Sequence, residues 1–339
     1  MLLIYKARAP VRICDMGGWT DIELCKKLGG GCVTSMAVSL YSQVAVEPNG
    51  SDGLMIISEN LGTKDYIEDY RRIEYDGTLN LLRAALKRMG INQGLTVRIK
   101  ADAPPGCGVG TSASVAVALL GAIHLMRGLP IDKSKIAALA QKLETEELKL
   151  LCGVQDQWAA AFGGWNMMEI DYPEVNLTPI TPPEGLIPEL ESRMLLVYFG
   201  PRSSNKQHGK ILNNFASGHD RSVQAFSELK ENGQRMYQAL QNGDINLITW
   251  AINQNWRSQN KLVPPGCYGI NTRQIDWVSE VAFENGAIAF DTNGAGGGGS
   301  AILLAEEGKE YQLEKALREK GIQLLPFRFD FTGLQVWKT

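Results

Sequence analysis

The chain of 339 residues holds only three histidines, His124, His208 and His219, and none of them falls in an H-E-x-x-H or other paired ligand spacing. A zinc site built from protein side chains alone is therefore not expected. No two of the six cysteines, Cys14, Cys25, Cys32, Cys107, Cys152 and Cys267, form a C-x-x-C pair, so they read as reduced thiols. Positive charge is not in excess. With 34 Lys and Arg against 37 Asp and Glu the formal charge is -3, which gives no support to a nucleic-acid partner. The longest apolar run, Val115 to Ile123, is too short to span a bilayer, and the opening MLLIYKARAP lacks the apolar core of a signal peptide. These absences set the expectation of a cytoplasmic protein without a membrane partner.

Two common phosphate-binding signatures are missing as well. The spacing G-x-x-x-x-G-K-[ST] does not occur, so no loop lysine bridges terminal phosphates. G-x-G-x-x-G after a fully buried strand is replaced by G-x-G-x-G after a segment that alternates. Leu95, Val97 and Ile99 are apolar while Thr96, Arg98 and Lys100 are polar, the pattern of a half-exposed strand in a mixed or antiparallel sheet.

What is present is a glycine-rich turn that runs straight into a small-residue apolar helix: PPGCGVGTSASVAVALLGAI, residues 104 to 123. Gly106, Gly108 and Gly110 permit positive φ and bring backbone N–H groups close to a ligand. Thr111, Ser112 and Ser114 sit where the helix begins, offering hydroxyl caps and the positive end of its dipole. The shape fits a triphosphate cradle, although glycine turns before helices also occur without a ligand.

The remaining elements follow from pattern. Leu3 to Ala9 reads as a strand, followed by a Gly- and Asp-rich loop, APVRICDMGGWTDI, and a strand around Cys32 to Val46. Asn80 to Met89 is an amphipathic helix, Ser112 to Met126 a buried one, and Asp132 caps a third that runs toward Leu150. Glu144, Glu146 and Glu147 lie near its apolar stripe, and a helical wheel does not choose among them. Tyr172 to Pro188 reads as a proline-rich linker, and Met194 to Phe199 as a strand leading into GPRSSNK. Residues 220 to 262 are helical, Ala287 to Phe290 is a strand, and a helix over about Glu310 to Lys320 precedes the tail. In DTNGAGGGGSAILL, residues 294 to 299 contain no residue but glycine and Ala295, so this loop must approach something closely.

Three of these stretches, in order, resemble the motifs of the GHMP kinases, the superfamily of galactokinase, homoserine kinase and mevalonate kinase. Pro104 to Ser114 is similar to P-x-x-x-G-L-G-S-S-A-A, with Val109, Thr111 and Ser114 as departures that remove no glycine or hydroxyl. Arg12 to Asp21 keeps the nine-residue step of the galactokinase form G-R-V-N-L-I-G-E-H-T-D-Y. It is closer still to R-I-x-x-x-G-G-x-T-D of the heptose 7-phosphate kinase branch and to G-G-W-S-D of fucokinases. GAGGGG matches the third motif, and GVQDQWAAAFGG resembles G-x-x-D-Q-x-A-A-x-x-G-G of the sugar kinases.

The resemblance implies an α+β fold of two domains, residues 1–172 with the strand-helix cradle in an α/β N-terminal domain, and 190–339 as a ferredoxin-like C-terminal domain. It implies that Pro105, Gly106, Cys107, Gly108, Val109, Gly110, Thr111, Ser112 and Ala113 hold ATP. Ser112 and Glu144 would bind Mg²⁺, Glu144 being chosen because it lies twelve residues before Asp156. Asp156 would be the base, although a helix-cap role is as good a reading of its position alone. Arg12 would stabilise the transferred phosphoryl, although a surface ion pair is the plainer reading. Gly18, Trp19, Thr20 and Asp21 would contact the sugar, with Gly296 and Gly297 in support. Arg202, Ser203, Ser204 and Lys206 would bind a phosphate already on it, a solvated basic turn being the alternative. Asp291 stands where heptose kinases usually carry lysine. The implied activity is an ATP-dependent sugar kinase acting on a sugar or sugar phosphate, most like the heptose 7-phosphate 1-kinases. A kinase of a neutral aldose and a catalytically silent binding protein are the alternatives, and the oligomeric state stays open.

Overall fold

The computed structural model describes residues 3–202, 206–263 and 270–339, and of residues 206 and 207 the backbone alone. Ser203, Ser204 and the side chain of Lys206, assigned above to a substrate phosphate, lie outside what is described.

Two sheets organise the chain. The first is formed by β1 (Tyr5–Met16), β2 (Gly31–Pro48), β3 (Leu54–Ser58) and β4 (Thr63–Ile67), then, after α1 (Asn80–Arg88), by β5 (Leu95–Ala101). Helices α2 (Thr111–Met126), α3 (Lys133–Lys142) and α4 (Gln155–Phe162) follow, and β6 (Trp165–Asp171) and β7 (Glu174–Pro179) extend the sheet from β2. Then come α5 (Leu186–Arg193), β8 (Met194–Tyr198), α6 (Lys206–Ala216), α7 (Asp220–Asn242), α8 (Ile245–Lys261) and α9 (Arg273–Glu284). The chain closes with β9 (Ala287–Thr292), β10 (Ser300–Ala305), α10 (Glu310–Glu319), β11 (Gln323–Leu324) and β12 (Gln335–Lys338). β12 returns to the first sheet, antiparallel to β1.

The first sheet is mixed: β3 and β5 are parallel, and its other pairs are antiparallel. The second has the order β11-β8-β10-β9 with antiparallel pairs, which is the strand order of a ferredoxin-like sheet. α2 is apolar on every side and is buried accordingly, with Val117, Leu119, Leu120 and Ile123 fully enclosed against α1, α3 and the first sheet. Each such side chain contributes about 1.5–3 kcal/mol through burial, which fixes the helix and hence the turn at its N-terminus. One core cluster joins the sheets, with Ile13, Met36 and Val38 on one side, Met236 and Ile252 of α7 and α8 between, and Ile302 on the other.

Four expectations need correction. β1 does not end at Ala9 but runs to Met16, so Arg12 stands on a strand and not in a loop. The ladder to β2 continues through a register shift at Pro10 and Val11, and proline at that irregularity need not donate to it. The supposed linker forms β7 and α5, and the proline of Tyr172–Pro173 sits in the tight β6–β7 turn. The helix capped by Asp132 does not reach Leu150: after Lys142 it widens to a π turn over Leu143–Glu147 and stops. At α2, neither Thr111 nor Ser112 caps. Gly110 is the N-cap, without a side-chain hydrogen bond, and Ser114 Oγ instead donates to the carbonyl of Ala9 at 2.8 Å.

Candidate active site

The turn before α2 follows from its glycines. Gly106, Gly108 and Gly110 have φ of 70°, 84° and 77°, and a Cβ on Gly110 would lie 3.1 Å from Cγ of Asp156. The backbone conformation and the close approach both demand glycine there. Because no side chain closes the first turn, the leading N–H groups of α2 stay available to an anion.

The second glycine loop packs on this turn. Ser300 Oγ donates to the carbonyl of Cys107 at 2.7 Å, the N–H of Arg202 donates to the carbonyl of Gly106 at 3.2 Å, and a Cβ on Gly294 would meet the carbonyl of Gly108. Gly294 and Ala295 line the cleft between the two loops. Gly296 and Gly297 stand further back, Gly297 donating to the carbonyl of Ile270 at 2.7 Å. The cleft has a volume of about 710 Å³, ample for a nucleotide and a small acceptor together.

Arg12 is the hub. It is buried, its Nε donates to Oδ1 of Asp156 at 2.9 Å, and one terminal nitrogen donates to the carbonyl of Gly108 at 2.8 Å. The other terminal nitrogen lies 3.5 Å from Asp15 Oδ2. Burial works to lower the pKa of the guanidinium, but Asp15, Asp156 and Asp21 raise it on balance, so it stays charged. Asp156, in the first turn of α4, caps nothing: the N-cap is Val154, and the carboxylate is given to Arg12.

Asp21 is buried and accepts from the N–H of Gln155 at 3.1 Å. Burial is the main cause that pushes its carboxyl up to about 6. Trp19, held at a positive φ of 75°, lines the same wall, with His208 of α6 edge-on to it at 4.9 Å between ring centroids. Burial, then the nearby Arg202, lowers the His208 pKa to about 4, which leaves a neutral imidazole. Thr20 does not reach the cleft, since its hydroxyl donates to the carbonyl of Gly17 and accepts from the N–H of Cys32. Gly18 lies behind Asp15, while Pro105, Val109 and Ala113 support the turn without lining the cavity.

The π turn decides among the three glutamates. Glu146 and Glu147 pair with Arg88 on the outside at 2.8 and 2.9 Å, whereas Glu144 faces the cleft. Burial raises the Glu144 pKa; hydrogen bonds from Cys152 and Gln157 oppose this, and Asp156 adds to it. Its Oε1 is buried without a partner, as is the hydroxyl of Thr111. Two orphaned hard oxygens beside the cradle, with exposed Ser112 next to them, fit a hard divalent cation carried in by a nucleotide. Asp291 is buried in β9, accepts from Asn255 at 2.8 Å and is not part of the cavity lining.

Sequence reasoning missed Asp15 and His208, and within the glycine loop it picked Gly296 and Gly297 where Gly294 and Ala295 line the cleft. Only His208 had an external signal, as one of three histidines in the chain.

Two stretches match family descriptions: residues 77–164 the GHMP kinases N terminal domain, and residues 236–323 the GHMP kinases C terminal. The chain belongs to the GHMP kinases, as the three ordered motifs implied. Within that family it is 28% identical, over 98% of both chains, to the D-glycero-alpha-D-manno-heptose 7-phosphate kinase of Campylobacter jejuni. It is 26% identical to the bifunctional fucokinase/GDP-fucose pyrophosphorylase of Arabidopsis thaliana, matching 93% of this chain and 31% of that longer one. The crystal structure of a D-glycero-D-manno-heptose 1-phosphate kinase from Bacteroides thetaiotaomicron shares the fold, with a TM-score of 0.80 at 24% identity over 99% of both chains.

Proposed function

We propose that this kinase transfers the γ-phosphoryl of ATP to the anomeric hydroxyl of D-glycero-D-manno-heptose 7-phosphate or a close phosphorylated aldose. The observation that carries the reading is the Arg12–Asp156 pair, held at 2.9 Å beside the open N-terminus of α2 with Asp21 on the adjoining wall. The full-length similarity to the Campylobacter jejuni enzyme supports the choice of sugar.

Phosphoryl transfer asks a protein mainly for alignment and charge compensation. The N–H groups from Gly106 to Ser112 hold the phosphates of ATP. Glu144 and the Ser112 hydroxyl would hold Mg²⁺, which when bound would neutralise charge on the phosphates. Asp156 uses Oδ1 for Arg12, and its Oδ2, near Gly110, accepts the proton of the reacting hydroxyl. Arg12 fixes the Asp156 carboxylate through Nε and stabilises charge on the moving phosphoryl. Asp21 accepts a further sugar hydroxyl, and Arg202, lining the cleft beside the cradle, meets the phosphate already on the sugar.

A neutral aldose is the second reading, favoured by the Trp19 and His208 wall, an aromatic surface of the kind that covers an uncharged sugar face. ADP release measured against aldoses with and without a terminal phosphate separates the two. Arg202→Ala should raise KM for the phosphorylated acceptor far more than for its neutral counterpart, and equal effects on both would favour the neutral aldose. ATP binding with no turnover on any sugar would instead indicate a silent GHMP fold.

Two further results are expected. Glu144→Gln should raise the Mg²⁺ concentration for half-maximal activity by about 10- to 100-fold. Glu147→Gln, on the outer Arg88 pair, should leave it unchanged, and equal effects of the two would remove Glu144 from the metal site. Because Asp21 must be ionised to accept a hydroxyl, kcat/KM for the sugar should fall as pH drops through about 6. A flat profile from pH 5 to 8 would contradict that role.

A further inference from the structure

The cleft contains one carboxylate that the reading above does not use. Asp15, on β1 three residues after Arg12, is 2% exposed yet lines the cavity. Its Oδ1 accepts from the N–H of Gly294 at 3.2 Å, while Oδ2 is buried without a hydrogen-bond partner. Arg12 does not satisfy it: two of that guanidinium's nitrogens are given to Asp156 and the carbonyl of Gly108, and the third stands 3.5 Å away. Gly18 packs against this carboxylate, and a Cβ there would lie 2.9 Å from Oδ2, too close to be tolerated without a shift. Behind Asp15 the wall is acidic too, because Asp291 is close enough to repel it. Among the described residues Arg12 is the cation in ion-pair range of this carboxylate, at 3.5 Å and without a hydrogen bond, which leaves Oδ2 able to take a donor from a ligand. Buried acceptors without donors are uncommon in folded proteins, and one that lines a cleft is suited to a donor brought by a ligand.

We propose that Asp15 is a specificity residue that accepts a hydrogen bond from an acceptor hydroxyl neighbouring the one held by Asp156. The two carboxylates flank the Arg12 guanidinium, one at Nε and one toward a terminal nitrogen, as a reacting hydroxyl and its neighbour on a sugar ring would require. The galactokinase form of the motif carries leucine at this step, where this chain has Asp15. A site built around a carboxylate rejects an acceptor lacking the hydroxyl, because the carboxylate is then left buried and unpaired. The inference rests on the sugar-kinase reading.

The test uses the full-length protein and the aldose or aldose phosphate that the wild type turns over best, with its monodeoxy analogues. Asp15→Ala should raise KM for that sugar by about 10- to 100-fold with little change in KM for ATP, and Asp15→Asn should recover part of the loss. One monodeoxy analogue should be a poor acceptor for the wild type and be used by Asp15→Ala almost as well as the parent sugar. If Asp15→Ala discriminates against every deoxy analogue as the wild type does, or raises both KM values alike, the inference is overturned and Asp15 serves only to hold Arg12. Absence of wild-type turnover on every sugar overturns the sugar-kinase reading itself, and this inference with it.

Discussion

Replacing Asp156 by alanine is expected to lower kcat by about 10²- to 10⁴-fold while ATP affinity stays nearly unchanged. The asymmetry follows from the geometry. ATP is to be held by backbone N–H groups of the turn from Gly106 to Ser112, and that turn takes its shape from its own glycines and from Ser300, not from Asp156. The reacting hydroxyl, in contrast, depends on Asp156 for its proton acceptor. Asp156→Asn refines the test, because the amide oxygen can still accept from Arg12 Nε but is no longer a base. If Asp156→Asn is as inactive as Asp156→Ala, proton acceptance dominates; if it retains most of the activity, Asp156 chiefly orients the hydroxyl. Unchanged turnover in both removes the residue from the mechanism. Isothermal titration with a non-hydrolysable ATP analogue supplies the binding half of the comparison.

Arg12→Gln should be the second large effect, and it should appear in stability as well as in rate. Three carboxylates, Asp15, Asp21 and Asp156, face this one guanidinium, and two of them are almost fully buried. Removing the cation that faces all three carboxylates leaves uncompensated buried charge and costs about 3–5 kcal/mol. The pH dependence has a definite sign. Burial raises the folded-state pKa of Asp15 and Asp21 above the usual carboxylate value, Asp21 to about 6, so the folded protein holds protons that the unfolded chain has released. Stability is therefore lost as pH rises through that window, and the loss grows when Arg12 no longer opposes it. Chemical denaturation of Arg12→Gln against the wild type should show the largest gap above about pH 6 and a smaller one near pH 5. A gap that widens on acidification would contradict the charge cluster as the source.

How much of this was legible in the sequence depends on which physical scale set each feature. The cradle was legible because a glycine spacing and an apolar run are local facts, and the buried helix α2 follows from them directly. The half-exposed strand at Leu95–Ala101 was legible for the same reason, its alternation being realised in burial that also alternates. The boundary at Ala9 was misread because the Pro-containing segment looked like a loop. Pairing with β2 carries the strand through Pro10 to Met16, and that pairing lies some thirty residues away in sequence. Among the glutamates, a helical wheel assumes a regular period, and the π turn at Leu143–Glu147 breaks it, turning Glu144 inward and leaving the other two for Arg88. Asp15 was invisible for a different reason. Its role depends on Gly294 and Asp291, brought from the far end of the chain, and on the fact that Arg12 is already committed elsewhere. The expected hydroxyl caps failed because Gly110 at positive φ ends the turn as the N-cap, which leaves Ser114 buried against Ala9.

The central claim is that this cleft phosphorylates the anomeric position of a sugar that already carries a phosphate. The most direct measurement is ³¹P NMR of the product formed from ATP, Mg²⁺ and D-glycero-D-manno-heptose 7-phosphate, with ADP release followed in parallel. The account predicts one new phosphomonoester signal coupled to the anomeric proton, appearing in step with ADP while the 7-phosphate signal persists. A new phosphate coupled to any other position, or ADP formed only with an unphosphorylated aldose, would contradict it.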